Sequence, residues 1–211
     1  MKVKEEGIMK KYAQPNLIKI NYDKTIFLAI FVIFASHMGG SLLMAESNQQ
    51  YDLQDPGLMP PPVITTPDLA QYGPQTRVFQ GIPGIERASN GRLWATWYGG
   101  GPTEGPWNYV MLNTSSDDGR SWTELKVVIE PEGQVRAFDP CLWIDPLGRM
   151  WFFWAQAIEF WDGRAGVWAI VTENPEDENP DWSVPRRLSD GIMMNKPTAL
   201  STGEWVLPVA I

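Results

Sequence analysis

The feature that most restricts the fold of this chain is a repeat. "IPGIERASNGRLWATW" at 82–97, "DPCLWIDPLGRMWFFW" at 139–154 and "KPTALSTGEWVLP" at 196–208 carry a Pro at one common phase. Pro83, Pro140 and Pro197 stand 57 residues apart, Gly91 and Gly148 keep that interval, and Gly203 follows after 55. A period of this size signals stacked units, each unable to bury its apolar surface alone. In the first unit, "GIERAS" turns at Asn90-Gly91 into "RLWATWY". That is a strong hairpin signal, because Asn and Gly accept the positive φ of a tight turn. The loop "GGGPTEGPW" leads to "NYVMLNT", and "TELKVVIE" makes a fourth strand. The second unit answers with "CLWID", "RMWFFWA", "AGVWAIVT" and "VPRRL" around the loop "QAIEFWDGR". No segment carries a convincing helical period. Four-stranded units at constant spacing predict an all-β chain of the β-propeller type, with units near 82–138, 139–195 and 196–211.

The turn "SSDDGRSW" at 115–122 recurs in worn form, with Thr172 for Ser115, Asn174 for Asp117 and Trp182 for Trp122, after three inserted residues. Asp117 is suited to accept hydrogen bonds from backbone N–H groups of its own turn. Gly119 supplies a positive φ that a Cβ would resist. Trp122 is expected to return apolar bulk to the gap between neighbouring sheets. One or two acids and a Gly are too few ligands for a calcium loop. Ser115, Asp117, Gly119 and Trp122 therefore read as structural punctuation, and no metal or other cofactor is predicted.

Composition narrows the chemistry. The single His, His37, lies in the N-terminal segment, and Cys141 is the only Cys. Catalytic triads built on His, His-ligated zinc and internal disulfides are therefore excluded from residues 46–211. Catalysis by these residues must use carboxylates, Tyr, Lys or Arg, a glycosidase-like set that many non-enzymes share. Residues 1–45 hold six of the 17 basic and three of the 25 acidic residues, so the remainder carries a net charge of −11. So acidic a body argues against nucleic acid and anionic membrane surfaces as partners.

The apolar run "TIFLAIFVIFAS" at 25–36 follows a basic start with Lys10, Lys11, Lys19 and Lys24. Its length fits a secretory signal better than a membrane span of roughly 20 residues, with Ala45 as a cleavage point. An uncleaved N-terminal anchor over 25–45 is the alternative, and would be the chain's one contact with a membrane. Either predicts an exported protein, periplasmic, at the cell surface or extracellular. Residues 46–76 are Pro-rich and without periodicity, and read as an extended linker.

S-x-D-x-G-x-x-W is similar to the Asp-box, or bacterial neuraminidase repeat. With "GIP", "GRLWATW" and "GRMWFFW" in register, residues 75–211 resemble the start of a sialidase-type propeller. The resemblance implies six blades, of which about two and a half are present, and an activity on a glycan or glycoconjugate. It also implies a pocket formed by residues entering the inner strands and by the loop between second and third strands. Sialidases carry Arg two residues before the first phased Pro to grip the substrate carboxylate, and here that position is Gly81. The family's acid/base Asp sits in the first blade's loop, where Glu104 is the only ionisable residue and the positional match. Asp139 and Lys196 both precede a phased Pro, with Arg136 and Asn195 close by, and are expected to face a common funnel. The second loop offers Glu159, Asp162, Arg164 and Trp161, and Trp107 and Trp161 are candidates to stack on sugar faces. The alternative assignments are a non-catalytic carbohydrate-binding propeller and a protein-binding one.

Overall fold

The computed structural model describes residues 56–158 and 165–210, together with the backbone of 16–20. It is all-β, and the repeat units appear as successive antiparallel sheets. The first is built from β3 (Gln80–Arg87), β4 (Leu93–Gly99), β5 (Tyr109–Ser115) and β6 (Val127–Ile129), with β2 (Val63–Ile64) added at its outer edge. The second follows the order β7 (Val135–Ile144), β8 (Met150–Ile158), β9 (Gly166–Thr172) and β10 (Arg186–Asp190). The third has an inner strand in two pieces, β11 (Ile192–Met193) and β12 (Thr198–Ala199), both paired with β13 (Trp205–Ala210). The other edge of β13 is occupied by β1 (Asn16–Ile20), which lies upstream of the apolar run. This third sheet thus holds more than the half-blade expected, because an N-terminal strand adds a third position to it.

Strands β7, β8 and β9 of the middle sheet are buried on both faces, which is why β8 and β9 read as nearly unbroken apolar runs, while the edge strand β10 is polar and partly exposed. Side chains alternate across a strand. Met150, Phe152 and Trp154 of β8 accordingly join Trp94, Val110 and Leu112 of the first sheet. Trp151 and Phe153 pack instead with Trp205, Leu207 and Val209 of the third. The tryptophans fill the wedges between sheets: Trp94 meets Trp182 edge-on at 6.3 Å, and Trp151 meets Trp205 at 5.4 Å. The outer face of the first sheet is covered by α1 (Leu69–Tyr72), whose Tyr72 packs edge-on against Tyr109 at 5.1 Å. Asp68 caps α1 by accepting from the Ala70 amide at 2.9 Å. The described part of the Pro-rich stretch lies along the sheets: Gln156 of β8 donates to the carbonyls of Gly57 and Met59, at 3.4 and 2.9 Å.

The phased prolines sit inside the inner strands. Register shifts interrupt β3 between Gly81 and Gly84 and β7 between Phe138 and Cys141, and the third inner strand breaks at 194–197. Ile82 and Asp139, each one residue before its Pro, have φ of 46° and 47°. Such left-handed backbone is costly for a residue with a Cβ, and more so for a β-branched one. The repeat therefore forces one strained residue at the same place in the first two sheets, and only the side chain presented there differs.

At the opposite end of the first sheet, the turn at 115–122 is closed by its own hydrogen bonds. Asp117 Oδ1 accepts from Ser115 Oγ at 2.8 Å and from the Ser121 amide at 2.9 Å, while Oδ2 accepts from Ser121 Oγ at 2.6 Å. The Gly119 amide donates to Ser115 Oγ, and Gly119 has φ of 81°. Trp122 differs from the expectation of a wedge between sheets. It remains 40% exposed, with its ring beside Gly119, and its repeat counterpart Trp182 fills the wedge instead. The three residues inserted in the second turn have a structural use. They extend it until the Pro175 and Glu176 carbonyls accept from Trp94 and Arg92 of the first sheet.

Candidate functional site

The loop between β4 and β5 is shaped from within by Asn108. Fully buried, it donates to the carbonyls of Gly100 and Thr103 and accepts from the Gly105 amide at 2.8 Å. Its own carbonyl accepts from the Ala137 amide of β7 at 3.0 Å, fastening the loop to the second sheet. Glu104, carried on this loop, is thereby brought over the boundary between β4 and β7. Tyr98 Oη donates to Glu104 Oε1 at 2.6 Å, and Arg136 Nη1 lies 3.5 Å from Glu104 Oε2. Arg136 is buried with its guanidinium 3.9 Å above the Phe138 ring, while the Glu104 side chain is 38% exposed.

Asp139 completes the group. Only 9% of it is exposed, and no hydrogen bond reaches its carboxylate from the described residues. Burial pushes its pKa upward, Arg136 opposes this, and the Glu104 charge adds to it. Burial first, and then the hydrogen bond to Glu104, raise the Tyr98 pKa strongly, so the phenol stays a donor across the physiological range. The structure thus gathers Glu104, Arg136 and Asp139 with Tyr98, which the sequence reading passed over. Tyr98 closes the strand just before "GGG" and has Ala155 at the equivalent place in the second unit. Asn108 was also passed over, and has Ala165 as its counterpart. A departure from the repeat at a loop boundary was the available signal for both.

Other expected members lie elsewhere. Lys196 pairs with Glu86 Oε2 of β3 at 2.7 Å and keeps 43% of its side chain exposed. Asn195 is exposed and its side chain accepts from the Lys196 amide. Trp107 lies on the Glu104 loop, 46% exposed, on the side of an open cleft. Glu159, Trp161, Asp162 and Arg164 fall outside the described residues. Arg77 stacks over Trp97 and Arg87 pairs with Asp118. Neither one substitutes for an Arg at position 81. Aromatic rings border that position: a Cβ on Gly81 would lie 3.3 Å from Phe79, a slightly tight contact, and 3.5 Å from Tyr98, an ordinary one. Among the described residues no group of His, Cys, Asp or Glu is arranged to hold a metal ion.

Residues 91–211 match the model of the BNR repeat-like domain. The chain belongs to this family. No curated protein matches it. Among solved structures it is similar to the Hadza microbial sialidase Hz136, at 19% identity and a TM-score of 0.44, over 55% of this chain and 27% of that one. The BNR repeat-like chain described here thus spans about a quarter of that protein's length.

Proposed function

We propose that this BNR repeat-like protein is a glycoside hydrolase of the sialidase-like type, with Glu104 and Asp139 as its visible acid–base pair. The observation that carries the reading is Asp139. It is a buried carboxyl without a hydrogen bond among the described residues, on strained backbone, beside a second carboxylate and an Arg. Strained backbone and carboxyls with perturbed pKa concentrate where chemistry is done, and the Asp139 oxygens are not among the fully buried atoms without a partner, so water or a ligand can reach them. With its pKa raised, Asp139 keeps a proton to higher pH than an ordinary carboxyl, which suits it to protonate a departing glycosidic oxygen. Glu104 accepts from Tyr98 and sits against Arg136, an arrangement that suits the anionic partner accepting a proton from water or from a substrate hydroxyl.

The test is turnover of a broad panel of chromogenic aryl glycosides by the full chain and by its Glu104→Gln and Asp139→Asn variants. Loss of one member of an acid–base pair is expected to lower kcat at least about 100-fold. Unaltered turnover in both variants would remove the assignment. A non-catalytic, carbohydrate-binding reading is favoured by one observation: position 81, bordered by the Phe79 and Tyr98 rings, is a Gly and offers no cation to grip a substrate carboxylate. Saturable glycan binding with no turnover on any panel member is its expected signature.

We also propose that the protein is exported, on the strength of the basic start and the apolar run at 25–36. Export through that run and the pairing of β1 with β13 are alternatives for one molecule. Cleavage after Ala45 removes β1, and a membrane anchor leaves it on the far side. N-terminal sequencing detects cleavage after Ala45, and cell fractionation separates an uncleaved anchor from an unexported chain that keeps β1.

A further inference from the structure

The Glu104 loop has a second side. Trp107 projects from it toward an open cleft of about 500 Å³, whose other walls include Pro62, Ile64, Glu130, Glu132 and Gln134. Four features distinguish this indole from a stray surface aromatic. Its Nε1 donates to the Thr103 carbonyl at 3.1 Å, so its polar edge is satisfied inside the loop. Gly101 and Gly105 press against the ring, and a Cβ on Gly101 would overlap it outright. The glycines of "GGGPTEG" thus serve to seat the indole. Trp107 is nevertheless 46% exposed and lines the cleft. Beyond it stand hydrogen-bonding groups of the kind that sugar hydroxyls need, Glu132 and Gln134. The Glu130 carboxylate is already committed to Tyr72 at 2.6 Å and helps to fix the wall. A rigid aromatic platform flanked by acceptors is how a protein binds a ring with apolar faces and a polar rim, because the ordering entropy has been lost before the ligand arrives.

We infer that this cleft is a second sugar subsite, which receives a further unit of an uncharged glycan chain while the reacting unit sits at Glu104 and Asp139. The inference rests on the glycosidase reading and adds the substrate class, an extended glycan. One loop forms both sites, since Glu104 faces Tyr98 and Arg136 while Trp107, three residues on, faces the cleft. The charge of the walls selects the ligand. Glu130 and Glu132 repel an anionic sugar, and no Lys or Arg lines the cleft among the described residues.

The test is titration calorimetry of the full chain with neutral β-linked gluco-, manno-, xylo- and galacto-oligosaccharides of one to six units, and with sialyllactose as the anionic probe. Affinity for at least one neutral series is expected to rise with chain length. Trp107→Ala is expected to lower affinity roughly tenfold for the longest member and much less for the monosaccharide. Trp107→Phe should recover part of that loss, and Gln134→Ala, which leaves the indole seat untouched, should show a smaller length-dependent loss. Three results would overturn the inference: no binding to any neutral series, a Trp107→Ala loss equal at every length, or preference for sialyllactose. The two readings fail separately. A length-dependent Trp107 effect with turnover unaltered in Glu104→Gln and Asp139→Asn removes the acid–base assignment and keeps the subsite. A 100-fold loss of turnover in those variants with flat length dependence does the reverse.

Discussion

Asp117 and Asp139 lie at opposite ends of neighbouring sheets and in opposite electrostatic circumstances. Asp117, in the turn after β5, spends its carboxylate on Ser115 and Ser121, and those bonds, the Ser121 hydroxyl foremost, lower its pKa to about 2. Asp139, on the bulge of β7, has no such donors, and burial moves its pKa the other way. A carboxylate that accepts three hydrogen bonds within its own turn has little left for a ligand. One largely buried on strained backbone, without donors from its own turn, keeps its hydrogen-bonding capacity for whatever enters the site. Saturation marks the structural acid, and its absence marks the candidate for chemistry.

The largest expected effect comes from taking that contrast to its extreme. Asp145, in the turn between β7 and β8, is fully buried and more saturated than Asp117. It accepts from the amides of Leu147 and Arg149, from the Arg149 guanidinium at 2.7 Å and from Trp151 Nε1 at 2.9 Å. Asp145→Ala should cost about 3 kcal/mol, because it removes the short ion pair to Arg149 and leaves the Trp151 indole N–H without its acceptor, while Glu173 stays 3.7 Å from the guanidinium. Urea denaturation measures it, and a loss under about 1 kcal/mol would show that saturation is a poor marker of structural importance.

The sheets were legible in the sequence for a definite reason. Strand alternation, turn glycines and a period of 57 residues all point to the same units, so each local signal supports the others. The repeat phase puts Arg136 and Asp139 at the entry to the inner strand of the second sheet, and the sialidase resemblance singles out the loop of Glu104; the structure brings these three side chains together. Phase does not place the Lys196 ammonium, since it fixes where the Cα stands while a four-carbon stem lets the ammonium reach Glu86. Tyr98 was hidden by its aromatic surroundings, which made it look like one more packing residue. Trp122 and Trp182 exchanged roles because a three-residue insertion changes what a turn can reach, a consequence that sequence spacing alone does not reveal.

A smaller effect sharpens the comparison between loop and turn. Gly148, in the tight turn of the second sheet, has φ of 84° and open space where a Cβ would go. Gly148→Ala should therefore cost only the left-handed backbone penalty of about 1 kcal/mol. Gly101 has φ of 62° and also lies against the Trp107 ring, so Gly101→Ala should cost about 2 kcal/mol or more and unseat the indole. Melting temperatures and Trp fluorescence report the two components. Equal losses with unchanged fluorescence would mean that the glycines of the loop serve its backbone alone.

The smallest effect, and the most direct test of the two aspartates, is the pH dependence of stability. For Asp117 the folded pKa of about 2 lies below the ordinary 3.8, so the native state binds fewer protons than the unfolded chain between these values. Its contribution is complete above about pH 4 and is lost as pH falls toward 2. For Asp139 the folded pKa lies above 3.8, so the native state binds more protons there and stability falls as pH rises from about 4 through the folded pKa. Asp117→Asn should thus be less stable than the parent at neutral pH, with the difference shrinking in acid. Asp139→Asn should match or exceed the parent at neutral pH and lose that advantage in acid, since Asn also tolerates left-handed backbone better than most residues. Because Asp117 is exposed to solvent, its curve should be shallow and should flatten with salt. Two difference curves of the same sign would mean that Asp139 has donors when folded, and the case for its chemical role would fail with them.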